Sequence, residues 1–161
     1  MSDTAQDGPK GGNELLPFLD WLLARLCADP TIAARAWLDG TAPQNTPKPF
    51  VAVSLASSPD SLSSGGVVSH TRPLVQVKVM ADNLDPTFPA TRALVQAINR
   101  LCARVGQVII PPIDAQSIGV AIQGSHRENP IFYTTSEEIG GSPVRTLHIG
   151  GRFRFFLQTY P

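Results

Sequence analysis

Apolar residues recur at helical spacing in two segments of the chain. One stripe runs through residues 13–28 and consists of Leu15, Leu19, Leu22 and Leu26. The other runs through residues 86–105 and consists of Leu94, Ile98, Leu101 and Val105. Side chains three and four residues apart share one face of an α-helix. The pattern therefore predicts two amphipathic helices over these segments, with Gly106 as the C-terminal stop of the second.

Other segments carry the pattern of β-strands. Residues 50–56 are apolar or small at every position, which is typical of a strand in the middle of a sheet. Valines alternate with polar residues over positions 75–79, as in a half-buried strand. Within the longer predicted strand over residues 67–80, Pro73 lacks a backbone donor and predicts an edge, a bulge or a break into two strands.

The late part of the chain predicts short strands separated by turns. Strands are expected over residues 117–123, 131–135 and 144–160, and turns over residues 126–130 and 136–143. Gly150-Gly151 fits either a two-residue hairpin turn or a bend within one long strand. The bend is favoured, because a turn at this point would leave two very short hairpin arms.

Irregular segments separate these elements. Residues 31–38 fit a short helix or an irregular strand, residues 39–49 a proline-rich linker, and residues 57–66 a serine- and glycine-rich loop. The order helix, strand, strand, helix and then several strands predicts an α+β fold. We expect a single domain with a mixed, mainly antiparallel β-sheet and two principal helices packed on one face. Residues 1–12 are expected to be a flexible N-terminal arm and residues 13–161 the domain.

Composition points to association and away from two classes of protein. Charged residues are 16% of the 161 residues and the formal net charge is zero, so the surface has little charge repulsion and favours an oligomer, with an ordinary monomer as the alternative. Zero net charge argues against a dedicated nucleic-acid binder. No apolar run is long enough to span a membrane, and the polar N-terminus lacks the apolar core of a signal peptide.

No grouping of residues indicates catalysis or a cofactor. The histidines are scattered without metal-ligand spacing: His70, His126 and His148. Paired glycines do not match phosphate-binding loops, and no serine lies in a nucleophile elbow. Glu137-Glu138 is expected in a solvated loop, and Cys27 and Cys102 as small buried apolar residues. The sequence predicts a protein that is not an enzyme and has no metal or cofactor site.

One basic and aromatic stretch has two interpretations. Residues 152–155 alternate arginine with phenylalanine, as in strands that stack single-stranded nucleic acid. Alternation also places Phe153 and Phe155 on one face of a strand, where a small sheet must meet its helices. Core packing of both rings is favoured, with Arg152 and Arg154 on the opposite face and available for salt bridges to a neighbour.

Four segments in this order carry a resemblance to a known family. After the first helix come PFVAVSLASS (49–58), LVQVKVMADN (74–83), the helix ATRALVQAINRLCARV (90–105) and the closing VRTLHIGGRFRFFLQ (144–158). Over residues 13–160 this element order resembles the tail-terminator (tail-completion) proteins of long-tailed bacteriophages, a family also seen as minor tail or neck proteins. The linker 39–49 and the segment 107–143 are longer than the family pattern needs.

The resemblance implies a structural virion protein of the phage tail or neck, present in the host cytoplasm during assembly. Such a subunit forms a homo-oligomeric ring, a hexamer, that caps the head-proximal end of the tail tube. The ring contacts the tail tube protein and the head-completion protein, and DNA passes through its lumen without sequence recognition. The resemblance implies neither a cofactor nor a reaction.

A closed ring needs two different complementary faces on each subunit. The residues predicted at the subunit or tube interface are Arg145, Arg152, Arg154, Ser61, Ser63 and Ser64. Two alternatives stay open. One is another neck or tail-tube component: tube subunits carry a long hairpin, for which residues 57–66 are a weakly apolar candidate. The other is a small nucleic-acid-binding module that uses the strand at residues 152–155.

Overall fold

The computed structural model describes residues 15–57, 60–62, 68–112 and 118–160. Two helices are present in these ranges, α1 (Leu15–Ala28) and α2 (Pro89–Cys102). They accompany eight strands: β1 (Ala36–Leu38), β2 (Phe50–Ser57), β3 (Asp60–Leu62), β4 (Val68–Thr71), β5 (Leu74–Ala81), β6 (Val108–Ile110), β7 (Gly119–Ile139) and β8 (Ser142–Tyr160). The predicted arm at residues 1–12 lies outside the described residues.

β8 organises the sheet, because it has partners on both sides. Along one side it pairs with β5 and then with β4, and along the other side it pairs with β7. β5 continues to β2 and β2 to β1, while β3 pairs with β4 and β6 with β7. The β1–β2 pair is parallel and the other described pairs are antiparallel. The predicted mixed, mainly antiparallel sheet of one α+β domain is confirmed.

Both helices pack on the same face of this sheet. The alternating valines of β5 are completely buried there, and so are Phe153 and Phe155 of β8. Phe18 of α1 meets Phe155 with ring centroids 4.9 Å apart. From α2, Leu94 and Ile98 complete the same cluster. The core is therefore the helix-facing side of the central strands, as the alternation in the sequence predicts.

Helix α2 is shorter than predicted at both ends. Residues 86–88 do not belong to the helix, because Asp85 accepts hydrogen bonds from the Thr87 amide and hydroxyl and holds a turn there. The helix then begins at Pro89, whose missing N–H costs nothing in a first turn. At the other end Ser125 donates to the Cys102 carbonyl at 2.6 Å and accepts from the Val105 amide at 2.8 Å. Gly106 is therefore not the stop.

The predicted turns at residues 126–130 and 136–143 are wrong, except at Gly140-Gly141. β7 and β8 instead form one long hairpin, in which the residues of β7 face partners on β8 except Gln123 and Glu128, which lie at register shifts. A register shift between Arg127 and Asn129 absorbs one extra residue. Pro130 is tolerated because residues 123–139 pair with β8 alone and prolines occur on edge strands. Local turn propensity is overridden by the continuous partner strand.

Three smaller predictions have mixed outcomes. The predicted loop at residues 57–66 contains β3, which pairs with β4, while residues 58–59 and 63–67 lie outside the described residues. Pro73 does separate two strands, β4 and β5, and residues 36–38 form a strand and not a helix. β8 runs unbroken through Gly150-Gly151, so one long strand is correct and a hairpin turn is excluded.

Candidate functional site

The sheet face opposite the helices is polar. Every second residue of β5 and β8 points to this side, and Tyr133 of β7 joins them beside His148. The main side chains on this face are Gln76, Lys78, Tyr133, His148, Arg152 and Arg154. We call these residues the polar face. Unlike the helix-facing side, the polar face carries cations and a histidine on the central strands, so it is the candidate functional surface.

Lys78 occupies the middle of the polar face. Its side chain is buried, with 6% exposed, and its Nζ donates to the Tyr133 hydroxyl at 2.8 Å. The ring of Tyr133 lies under the same ammonium and stacks on His148 at 4.4 Å between centroids. His148 Nε2 meets the Thr135 hydroxyl at 2.8 Å. The cluster joins three strands through polar contacts and a stacked pair of rings.

Gly150 makes room for this cluster. A Cβ on Gly150 would lie 2.1 Å from the Val77 carbonyl oxygen and 2.6 Å from the Lys78 Cα. The backbones of β5 and β8 therefore approach too closely here for any side chain. Since Gly150 lies opposite Lys78, the space above it is left to the lysine side chain.

The surroundings of His148 favour its neutral form. Burial lowers its pKa below the ordinary 6.5, and the charges of Lys78 and Lys48 lower it further, while Asp39 acts in the opposite direction. The imidazole is 5% exposed, and Nδ1 has no hydrogen-bond partner among the described residues. A protonated His148 would add a third positive charge beside two lysines.

Arg154 is fully engaged within its own chain. Its Nε and second terminal nitrogen donate to the two oxygens of Glu128 at 2.8 and 3.2 Å, and its remaining nitrogen donates to the Arg72 carbonyl at 2.7 Å. This fork lowers the pKa of Glu128. Arg154 was predicted at a subunit or tube interface, and its guanidinium here holds β7 and the segment between β4 and β5 against β8.

Arg152 is the opposite case. It is half-buried between Gln76 of β5 and Asn129 of β7, two neutral residues. Its Nε is buried and has no hydrogen-bond acceptor, and no described carboxylate lies within ion-pair distance. Native structures seldom leave such a group without a partner. Among the predicted interface residues whose side chains the structure describes, Arg152 is the one with a buried donor that lacks an acceptor.

A two-stranded ribbon projects beyond the sheet. Residues 135–139 of β7 and 142–146 of β8 pair only with each other, since the pairing of β8 with β5 ends at Leu147. Gly140 and Gly141, with φ of 62° and 82°, form the two-residue turn at the tip. Glu137, Glu138 and Ile139 are exposed there. We call residues 135–146 the ribbon, and its predicted interface residue Arg145 is also exposed.

The linker braces the base of the ribbon. Lys48 donates to the Thr146 hydroxyl at 2.9 Å and pairs with Asp82 at 3.2 Å. Beside this contact lies an open groove of about 550 Å³ between the linker, Phe50 and Ile139. The proline-rich linker at residues 39–49 therefore has a structural role at the ribbon, in addition to leading into β2.

The remaining predicted site residues lie elsewhere. Ser61 belongs to β3, at the far end of the sheet from the ribbon, and Ser63 and Ser64 lie outside the described residues. The predicted interface set is therefore not brought together as one surface. Sequence reasoning missed the roles of Lys78, Tyr133 and the ribbon. A usable signal was present for Lys78, a charged residue in an alternating strand that is flanked by valines on both sides.

Two kinds of feature, a metal-binding group and a membrane-spanning helix, are absent from the described residues. In the described ranges, no three residues among histidine, cysteine, aspartate and glutamate are grouped so as to hold a metal ion. No helix in the part of the chain that the structure describes is long and apolar enough to cross a membrane.

Comparison of the chain with protein-family models, with curated proteins and with solved structures found no match.

Proposed function

We propose that this chain is a structural subunit of the bacteriophage tail or neck, a tail terminator that forms a ring. In this proposal the ring caps the head-proximal end of the tail tube and joins it to the head-completion protein. DNA passes through its lumen without sequence recognition. The proposal starts from the resemblance of the sequence segments quoted above to tail-terminator proteins.

One observation of the structure carries the proposal furthest. Each subunit has a projecting ribbon and, on the opposite sheet face from its helices, a cationic surface with an unpaired arginine. A ring is a heterologous assembly, in which one face of a subunit meets a different face of the next. A chain with one projecting element and one receiving surface meets that requirement.

The free edge of β7 supports the same kind of assembly. Over residues 123–139 its outer side has no described partner strand. Long exposed edges pair readily with other chains, and soluble monomers usually protect them. An edge of this length is therefore a favourable place for strand pairing with a neighbouring subunit or with the tube.

A tube-forming subunit is the second candidate, and the β7–β8 hairpin favours it. Tube subunits carry a long hairpin, and this hairpin is the longest element described. The two candidates differ in the product of assembly, since a terminator forms one closed ring and a tube subunit stacks ring on ring.

The nucleic-acid alternative lacks its main requirement. Phe153 and Phe155 are both 0% exposed, so neither ring is available to stack a base. Arg154, the arginine between these two phenylalanines, is already paired with Glu128. The proposal therefore keeps to an assembly role.

Native mass spectrometry over a concentration series, with negative-stain images of the same samples, tests the proposal. Closed rings, expected as hexamers, support it, and open-ended tubes support the second candidate instead. The ring is then added to polymerising subunits of the cognate tail tube, where capping shortens the tubes. Absence of rings together with an unchanged length distribution of the tubes would contradict the terminator function.

A further inference from the structure

The described ion pairs on and beside the polar face leave one guanidinium without an acid. Lys48 pairs with Asp82, and Arg154 pairs with Glu128. Arg152 pairs with no described carboxylate, although it is half-buried and its Nε is inaccessible to water. The terminal nitrogens have no described partner either and are not among the enclosed atoms, so an acid from outside can reach the guanidinium through them. No described residue supplies that acid.

The residues around Arg152 also favour binding of an acidic group. Lys78, diagonally across from it on β5, is also without a described carboxylate and has only the Tyr133 hydroxyl as acceptor. The direct cross-strand neighbours of Arg152 are the neutral Gln76 and Asn129. The local potential is therefore positive, and a carboxylate placed here would be stabilised by both cations.

The chain itself carries the complementary charge. Its formal net charge is zero, so an uncompensated basic surface is balanced by acids elsewhere. Glu137 and Glu138 near the ribbon tip are exposed, and neither forms an ion pair among the described residues. They alternate across β7, so one carboxylate points to each side of the ribbon.

The ribbon of the same copy cannot supply the acid. Val144, which faces Glu137, lies eight residues from Arg152 along β8, which is about 27 Å for an antiparallel strand. A side chain spans only a fraction of this distance, and both residues belong to one continuous strand. Glu137 and Glu138 can therefore reach Arg152 only from a second copy.

We propose that Arg152 binds Glu137 or Glu138 of a second copy of this chain, so that the ribbon of one copy docks on the polar face of the next. The contact is head-to-tail and therefore compatible with a ring. It deepens the proposed function and rests on it for the biological purpose of the assembly. It also separates Arg152, which faces the neighbour, from Arg154, which serves its own fold.

Charge reversal on either side tests the contact. Arg152→Glu and the double variant Glu137→Arg/Glu138→Arg are each expected to weaken self-association about 100-fold, as for the loss of a desolvated charge pair. Matched controls are Arg92→Glu on α2 and Asp20→Arg on α1, which reverse exposed charges on the helix side and should associate like the wild type. Sedimentation and native mass spectrometry measure the change.

Mixing the two variants is the decisive step. An Arg152→Glu copy repels its own kind, and so does a Glu137→Arg/Glu138→Arg copy. In a mixture, the native glutamates of the Arg152→Glu copy meet the native Arg152 of the ribbon variant. The arginines introduced in the ribbon variant meet the glutamate introduced by Arg152→Glu. Every contact then joins opposite charges. Assembly should return with the two variants alternating, which isotope labelling of one variant shows by mass.

Several results would overturn the inference. These are wild-type association in either variant alone, no recovery on mixing, or a wild-type chain that stays monomeric at every concentration. Binding of duplex DNA that disappears in Arg152→Glu while self-association is unchanged would assign the site to phosphate instead. If Arg152→Glu fails to fold, by urea denaturation, the ribbon variant still decides, because its two positions are exposed.

The contact and the proposed function can fail separately. Rings that form through this contact but do not shorten tail tubes would leave the contact standing and remove the terminator function. Rings that cap tubes and form equally well with either charge reversal would leave the terminator function standing and remove the proposed contact.

Discussion

The two faces of the central sheet are built on different principles. On the helix side, β5 and β8 present valine and phenylalanine side chains that are completely buried under α1 and α2. On the polar face the same two strands present Lys78, His148 and Arg152, of which two are almost fully buried and one is half-buried. Strand alternation thus separates an apolar core from a charged surface within a single layer of backbone.

The difference shows what each face contributes. Apolar burial on the helix side accounts for folding of the isolated chain, and the Thr91 hydroxyl of α2 is the one buried side-chain atom there without a partner among the described residues. On the polar face the Arg152 Nε is buried without an acceptor among the described residues, which reduces the stability of the isolated chain. A face that reduces stability but is built from specific residues is more readily explained by a function outside the single chain.

The largest effect is expected from breaking the helix side. Phe155→Ala removes a completely buried ring that contacts Phe18, and truncations of this kind lower the free energy of unfolding by about 3–5 kcal/mol. The matched control is Phe132→Ala on β7, where the ring is 61% exposed and the expected loss is below about 0.5 kcal/mol. Urea denaturation measures both, and similar losses would contradict the placement of the core.

A second substitution tests the close approach on the polar face. Gly150→Ala places a Cβ against the Val77 carbonyl and the Lys78 backbone, so β5 and β8 must separate. We expect a loss of about 2–3 kcal/mol, as for overpacking against backbone. Gly106→Ala is the control, because a Cβ there meets nothing within 4 Å and should change stability little. A tolerated Gly150→Ala would show that the strands are not in tight contact.

The helix side was predictable from sequence because its signal is periodic. The valines of β5, the stripe of α2 and the burial of Phe153 and Phe155 follow from spacing alone. In α1 the prediction was right for Leu22 and Leu26 but missed Phe18, which is completely buried. The failures lie in β7, where residues 126–130 have turn composition. Their conformation is set by pairing with β8, a contact between distant parts of the chain that local propensity does not contain.

The candidate surface was predictable only in part. Arg152 was placed correctly on the face away from the helices, since alternation fixes the side of a strand. Its difference from Arg154 was not predictable, because it depends on Glu128, which a register shift in β7 brings to Arg154. The ribbon was missed for the same reason as β7: residues 136–143 have turn composition and were predicted as a turn, and only pairing with β8 makes them a ribbon.

A change of pH sharpens the contrast between the faces. His148 has a pKa below 6.5 in the folded chain, owing first to burial and then to Lys78 and Lys48. The unfolded chain therefore binds a proton at a higher pH than the folded chain. Stability is complete above about pH 6.5 and falls as the pH drops below it, until the folded-state pKa is passed.

His148→Gln removes this titration while keeping a group that can hydrogen-bond to Thr135. Between pH 7.5 and 5.5, the wild type should lose more stability than the variant, as measured by urea midpoints at each pH. The acids of the protein titrate in both chains, so the difference between the two isolates His148. A wild type that gains stability relative to the variant on acidification would show that the imidazole is not buried beside cations.

The smallest effect on folding is expected from Arg152→Met, and it separates the two faces most clearly. Methionine keeps much of the apolar stem of arginine and removes the unpaired guanidinium, so no hydrogen bond among the described residues is lost. Replacing an unsatisfied charge by an apolar group of similar length is neutral or stabilising, and we expect a change within about 0.5 kcal/mol or a gain. Self-association should nevertheless weaken, because the carboxylate of the second copy loses its partner. A clear loss of folding stability, with association intact, would mean that Arg152 serves the fold of its own chain, as Arg154 does, and that the polar face is not a docking surface.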